Sequence, residues 1–118
     1  IVTSCHDLPI EDDSVETVVD VIRQLTMDCA DEAIMAGLPS PCAVGVSLGG
    51  HIVDDSMVTF APFLHWSKPV EFSALIQEAT GLPTGIYNDI DSLVVDACMF
   101  GSGVGLNSFA VVTIGIGV

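Results

Sequence analysis

Two segments of this chain stop on the same three letters, Gly-Leu-Pro, at 37–39 and again at 81–83, and each stop is followed by a short apolar run. A glycine after a helical period supplies the left-handed cap, and a proline two residues on forbids continuation, so the triplet reads as a helix stop. Helices that end abruptly and hand over to short apolar strands leave few architectures open. The pattern predicts α/β packing around mostly parallel strands.

The remaining elements follow from periodicity. Val15, Val18, Val19, Ile22, Leu25, Cys29, Ala33 and Ala36 keep a helical spacing, with Asp13 and Glu16 placed as a capping box. "CAVGVSL" (42–48) is a nearly continuous apolar run, the pattern of a strand buried on both faces. "GGHIVDDS" reads as a loop. "PVEFSALIQEAT" (69–80) predicts a second helix with proline near its first turn, and "TGIY" (84–87) a second strand. "DSLVVDACMFG" (91–101) predicts a third helix with Leu93, Val94, Ala97 and Phe100 inward, and "SFAVVTIGIGV" (108–118) a last strand.

Composition limits what such a unit can do. The chain has 118 residues, half of them apolar, which is enough for one domain with a core. Sixteen Asp and Glu stand against two basic residues, Arg23 and Lys68, for a formal charge of −14. A polyanion without basic patches does not bind nucleic acid by neutralising phosphates and does not sit on an anionic membrane. No apolar stretch is long enough to span a bilayer and no signal-peptide pattern opens the chain. The four cysteines, Cys5, Cys29, Cys42 and Cys98, show no metal spacing, so no metal site is expected; they read as buried reduced thiols of a cytoplasmic protein. The chain opens without Met and stops within a glycine-rich turn, so a piece of a longer protein is expected.

Ligands of open α/β sheets bind beyond the carboxyl ends of strands, and three stretches fall there. At "SLGGHIVD", Gly49 and Gly50 let backbone approach a ligand closely and His51 can donate to it; a plain turn whose glycines supply positive φ is the alternative. At "YNDIDS", Asp89 or Asp91 can cap the third helix, a task worth ~1 kcal/mol. One cap explains one acid but not Asn88, Asp89 and Asp91 together, since neighbouring carboxylates repel; Asn88 and Asp89 can instead present acceptors and donors to vicinal hydroxyls, with an Asp as general base. At "TIGIGV", Thr113, Gly115 and Gly117 can cradle a phosphate or simply bend the chain. His65 reads as a packed or half-exposed ring in an aromatic loop. His6 supports no assignment, and no nucleophile triad is present.

The ordered set "GVSLGGHIVD", "APFLHW", "ATGLPTGIYNDIDS", "MFGSG" and "FAVVTIGIGV" resembles the ROK family of bacterial repressors and sugar kinases, and within it the actinobacterial regulators. The resemblance implies an actin-like, RNase-H-like fold, with residues 1–118 a single partial domain belonging to the N-terminal lobe. It implies a sugar or sugar phosphate as ligand in a cleft between lobes. Asn88 and Asp89 match the family's Asn-Asp pair, which holds sugar hydroxyls and, in the kinases, supplies the catalytic base at Asp89. Gly49 and Gly50 match the glycine turn against the sugar. Thr113, Gly115 and Gly117 match the second phosphate loop, which binds ATP with Mg in the kinases.

By the same resemblance the first phosphate loop is expected upstream of Ile1, and so, for a repressor, is a DNA-binding winged helix. The family's remaining sugar ligands and Cys-rich zinc motif are expected downstream of Val118, and the resemblance implies a homodimer. A lobe deprived of its partner is expected to expose apolar surface and self-associate. Three positions depart from the kinases or from the family. Ile116 stands where kinases commonly carry Thr, Phe63 where they often carry Asn, and Asp91 where the family usually carries Asn. The expected function is therefore sugar sensing in a transcriptional regulator; an ATP-dependent sugar kinase is the alternative, and an interaction domain without ligand the third reading.

Overall fold

The computed structural model describes residues 5–114. In chain order it contains α1 (Val15–Met35), β1 (Val44–Leu48), β2 (His51–Val53), β3 (Met57–Phe60), a 3-10 turn (Pro62–Leu64), α2 (Phe72–Thr80), β4 (Thr84–Asn88) and α3 (Asp89–Met99). β1 and β4 pair in parallel from Val44 opposite Thr84 to Leu48 opposite Asn88, as the alternation of helices and strands predicts. The crossover between them carries the β2–β3 hairpin and α2. No helix among the described residues is long and apolar enough to cross a membrane.

α1 is capped one residue later than expected. The Ser14 hydroxyl accepts from the Thr17 amide at 3.2 Å, and the Ser14 amide donates to Asp12 Oδ1 at 2.8 Å. The Ser14 hydroxyl and amide, with the Thr17 hydroxyl, hold the Asp12 carboxyl below its ordinary pKa. Asp13, the expected cap, is used elsewhere: its carbonyl accepts from Trp66 Nε1 at 2.6 Å and its carboxylate meets His65 Nδ1 at 2.5 Å. At the other end Gly37 takes φ +69° and Leu38 donates to the Ala33 carbonyl, which is the glycine-and-proline stop read from the sequence. Gly81, at φ +74°, ends α2 in the same way.

The stretch expected to be a loop after Gly50 is instead a hairpin. Its reversal runs through Asp54 and Asp55, both at φ +53°, a conformation that aspartate tolerates better than most side chains. The Asp55 carbonyl accepts from the Ile86 amide at 2.9 Å and so ties the hairpin to β4. α2 starts at Phe72 rather than near Pro69, because Val70 exchanges two 2.9 Å bonds with Val58 and is held extended.

The core forms where these pieces converge. Phe72 and Ile76 from α2, Val58 from β3, Ala61, Trp66, Ile86 from β4 and Val18 from α1 are buried together. Trp66 and Phe72 meet edge to face with centroids 4.9 Å apart.

Three expectations fail at the C-terminal side and in the cysteines. α3 buries none of its residues: Leu93, Val94 and Phe100 are exposed and only Ala97 of the predicted inward set is half-buried. The parallel sheet has two strands, too narrow a surface to cover the helix. Residues 108–114, the described part of the expected last strand, form no strand and pair with neither edge of the β1–β4 sheet. Cys5, Cys42 and Cys98 are exposed and Cys29 is half-buried, so the thiols are not core residues.

Candidate functional site

β1 and β4 run side by side and end together, at Leu48 opposite Asn88. The chain leaving β1 turns through Gly49 and Gly50, and the chain leaving β4 enters α3 directly. Parallel pairing therefore brings two segments 38 residues apart in sequence to one point. Asn88 joins them. Its Nδ2 donates to the Gly50 carbonyl at 2.7 Å, while its Oδ1 caps α3 by accepting from the Ile90 amide at 2.9 Å.

An amide does the capping, so neither acid is needed for it. Asp89 and Asp91 lie in the first turn of α3, where the exposed backbone N–H groups favour negative charge. Asp89 Oδ1 also accepts from the Ile90 amide, at 3.0 Å. Asp89 Oδ2 has no hydrogen-bond partner among the described residues and lies 3.4 Å from the point where a Cβ on Gly49 would stand. Asn88 keeps one amide hydrogen and one lone pair uncommitted after its two scaffold bonds.

The glycine turn is built for space rather than for dihedral freedom. Positive φ among the described glycines occurs at Gly37, Gly81 and Gly105, not at Gly49 or Gly50. A Cβ on Gly50 would come to 2.6 Å of the Phe60 carbonyl oxygen, a backbone atom of the hairpin that cannot swing aside. Gly50→Ala is therefore expected to destabilise the protein by about 1–3 kcal/mol and to disturb the bond from Asn88. A Cβ on Gly49 meets only ordinary contacts, at 3.4 Å or more, so Gly49→Ala is expected to stay within about 0.5 kcal/mol of the parent. Urea denaturation of the two variants checks the contrast.

His51 is engaged differently from the expectation. Its carbonyl accepts from the Thr59 hydroxyl at 3.1 Å, which uses that hydroxyl's one proton. Thr59 Oγ1 also lies 2.7 Å from His51 Nδ1, so that side of the ring is engaged with the hairpin. His65 is largely exposed and paired with Asp13, and His6 contacts Glu32.

The structure thus unites Gly49, Gly50, Asn88 and Asp89 and sets beside them Phe63, the position noted above for departing from the kinases' Asn. Phe63, on the 3-10 turn, places Cδ2 3.6 Å from the same Gly49 Cβ point that Asp89 approaches. A polar concavity of about 310 Å³ opens beside this group, lined by Gly50, His51, Asn88 and Asp91 among others. An apolar one of about 440 Å³ lies against Gly49 and Phe63, between α1 and β1. Of the expected phosphate loop, Thr113 is exposed on a segment without helix or strand. Gly115 and Gly117, like Ile116, lie outside the described residues. Among the described residues no cluster of His, Cys, Asp and Glu has the arrangement to hold a metal ion.

Taken together, the site offers an uncommitted carboxylate oxygen, part of an amide and a side-chain-free turn at one sheet edge. That set suits a neutral ligand rich in hydroxyl donors. The model of the ROK family matches residues 3–118, nearly the whole chain. No curated protein matches it.

Proposed function

From the chain's belonging to the ROK family, whose actin-like ATPase fold it shares, we propose that it is sugar-sensing domain material of a transcriptional regulator. Asp89 and Asn88 accept and donate to adjacent sugar hydroxyls, and the Gly49–Gly50 turn provides the floor. The observation that carries this reading is the Asp89 carboxylate, held beside Gly49 with Oδ2 unpartnered while Asn88 performs the structural tasks. Hydroxyl groups of a ligand replace the water that an exposed carboxylate otherwise binds.

In this reading a second lobe closes over the sugar, and closure shifts a cytoplasmic homodimer between DNA-competent and DNA-incompetent states. DNA contact belongs to a winged helix upstream, since a unit of charge −14 repels phosphate. The runner-up is an ATP-dependent sugar kinase with Asp89 as general base. A general base needs an acceptor within hydrogen-bond reach of the hydroxyl it serves, and Asp89 Oδ2 is uncommitted among the described residues. Mg would accompany ATP, and zinc would belong to the downstream region. The regulator is preferred because phosphoryl transfer depends on positioning and charge stabilisation, and Ile116 offers the nucleotide phosphates no hydroxyl.

The test is a calorimetric titration of the intact protein with hexoses and amino sugars, alongside an assay for ATP-dependent phosphorylation of the same panel. Saturable sugar binding without turnover is the expected result. Turnover would establish the kinase, and absence of binding to every sugar would leave the ligand-free interaction domain.

A further inference from the structure

Phe63 is 69% exposed, yet it does not sit on a loose loop. Pro62 opens the turn with a fixed φ, and Leu64 donates to the Ala61 carbonyl at 3.1 Å. Ala61 and Trp66 flank the turn, bridge to each other and are both buried. Trp66 is bonded through Nε1 to Asp13, and His65 pairs with the same residue's carboxylate. The segment 61–66 is therefore anchored at both ends, and the one large apolar side chain in it that is mostly exposed is Phe63. Cδ2 and Cε2 turn one ring edge toward Gly49, at 3.6 and 3.8 Å from its Cβ point, with Asp89 Oδ2 3.4 Å from that point. An apolar ring on an anchored turn and a free acceptor thus share one neighbour.

A pyranose is amphipathic in the matching sense. Hydroxyls project around its rim, while axial C–H bonds give it flat apolar faces that pack on aromatic rings. We propose that Phe63 is the stacking platform of this site and selects neutral cyclic sugars over open-chain polyols and sugar acids. The ring packs on the C–H face while Asp89 accepts from a hydroxyl at the rim. An open-chain polyol presents the same hydroxyls to Asp89 and Asn88 but no preformed face, so it gains nothing from Phe63 and loses more entropy on binding. A sugar acid meets Asp89 and Asp91 and is repelled. The proposal rests on the sugar-site reading above.

The experiment is titration of the intact protein and its variants with D-glucose, D-galactose, N-acetyl-D-glucosamine and the polyol D-glucitol. The parent is expected to favour at least one pyranose over glucitol. Phe63→Ala is expected to lower affinity for that pyranose about tenfold, the size of one lost aromatic contact, and to leave glucitol nearly unchanged. Phe63→Trp is expected to retain the preference, and Phe63→Leu, apolar but without a flat face, to lose most of it. Because the ring is exposed, thermal midpoints should shift by no more than about 2 °C. Unchanged pyranose binding in Phe63→Ala, with binding lost in Asp89→Ala, would overturn the platform and leave the sugar site standing. Absence of sugar binding by the parent, or binding indifferent to both substitutions, would remove the site and the platform together.

Discussion

Replacing Phe72 by alanine is expected to cost about 3–5 kcal/mol, the range for deleting a fully buried phenylalanine. The ring is 1% exposed and begins α2 at the centre of the core. It meets Trp66 edge to face, and Trp66 in turn holds the Asp13 carbonyl at the start of α1. Truncation therefore leaves a cavity and loosens the anchor of the turn that carries Phe63. Against a typical net stability of about 5–15 kcal/mol the loss is severe. Guanidinium denaturation should show a lower midpoint with an unchanged slope, and Phe72→Leu should recover roughly half the deficit. A loss below about 1 kcal/mol for Phe72→Ala would show that the cluster around α2 is not what holds the domain together.

The parts of this fold legible in the sequence are those set by local chemistry. Gly37 and Gly81 end their helices as glycine followed by leucine and proline demands, and the apolar runs at 42–48 and 84–87 become the parallel pair. The cluster at Asn88, Asp89 and Asp91 falls where a strand passes into a helix, so its position at a sheet edge was readable too. What was not legible depends on partners distant in sequence. The hairpin strands have three and four residues and turn through Asp-Asp, without the Asn-Gly or Asp-Gly signal of a tight turn. Pro69 looks like a helix start until Val70 is claimed by Val58. Asp13 looks like a cap until His65 and Trp66 claim it, leaving Ser14 to act instead. The apolar stripe of α3 and the run at 108–114 illustrate a further limit: hydrophobic pattern marks a side chain that prefers cover, not whether cover is there.

Asp89 is the residue through which sensing and catalysis separate most sharply. Asp89→Ala removes the free acceptor at Gly49, and a hydrogen bond to a charged group contributes about 1.5–3 kcal/mol, so sugar affinity of the intact protein should fall about ten- to hundredfold. The side chain is exposed and Asn88 keeps the helix cap, so stability should change by less than about 1 kcal/mol. Asp89→Asn keeps the size and one acceptor but gives up charge and basicity. In a sensor that exchange costs only the difference between a charged and a neutral hydrogen bond, about fivefold in affinity. In a kinase it removes the group that takes the proton from the attacking hydroxyl, and turnover should fall by about 10²–10⁴ while sugar binding persists. Calorimetry on both variants, with phosphorylation measured in parallel, thus reads the role of one carboxylate from the gap between two substitutions. Equal affinity in parent, Asp89→Asn and Asp89→Ala would mean that the carboxylate beside Gly49 touches no sugar, whatever the geometry around it offers.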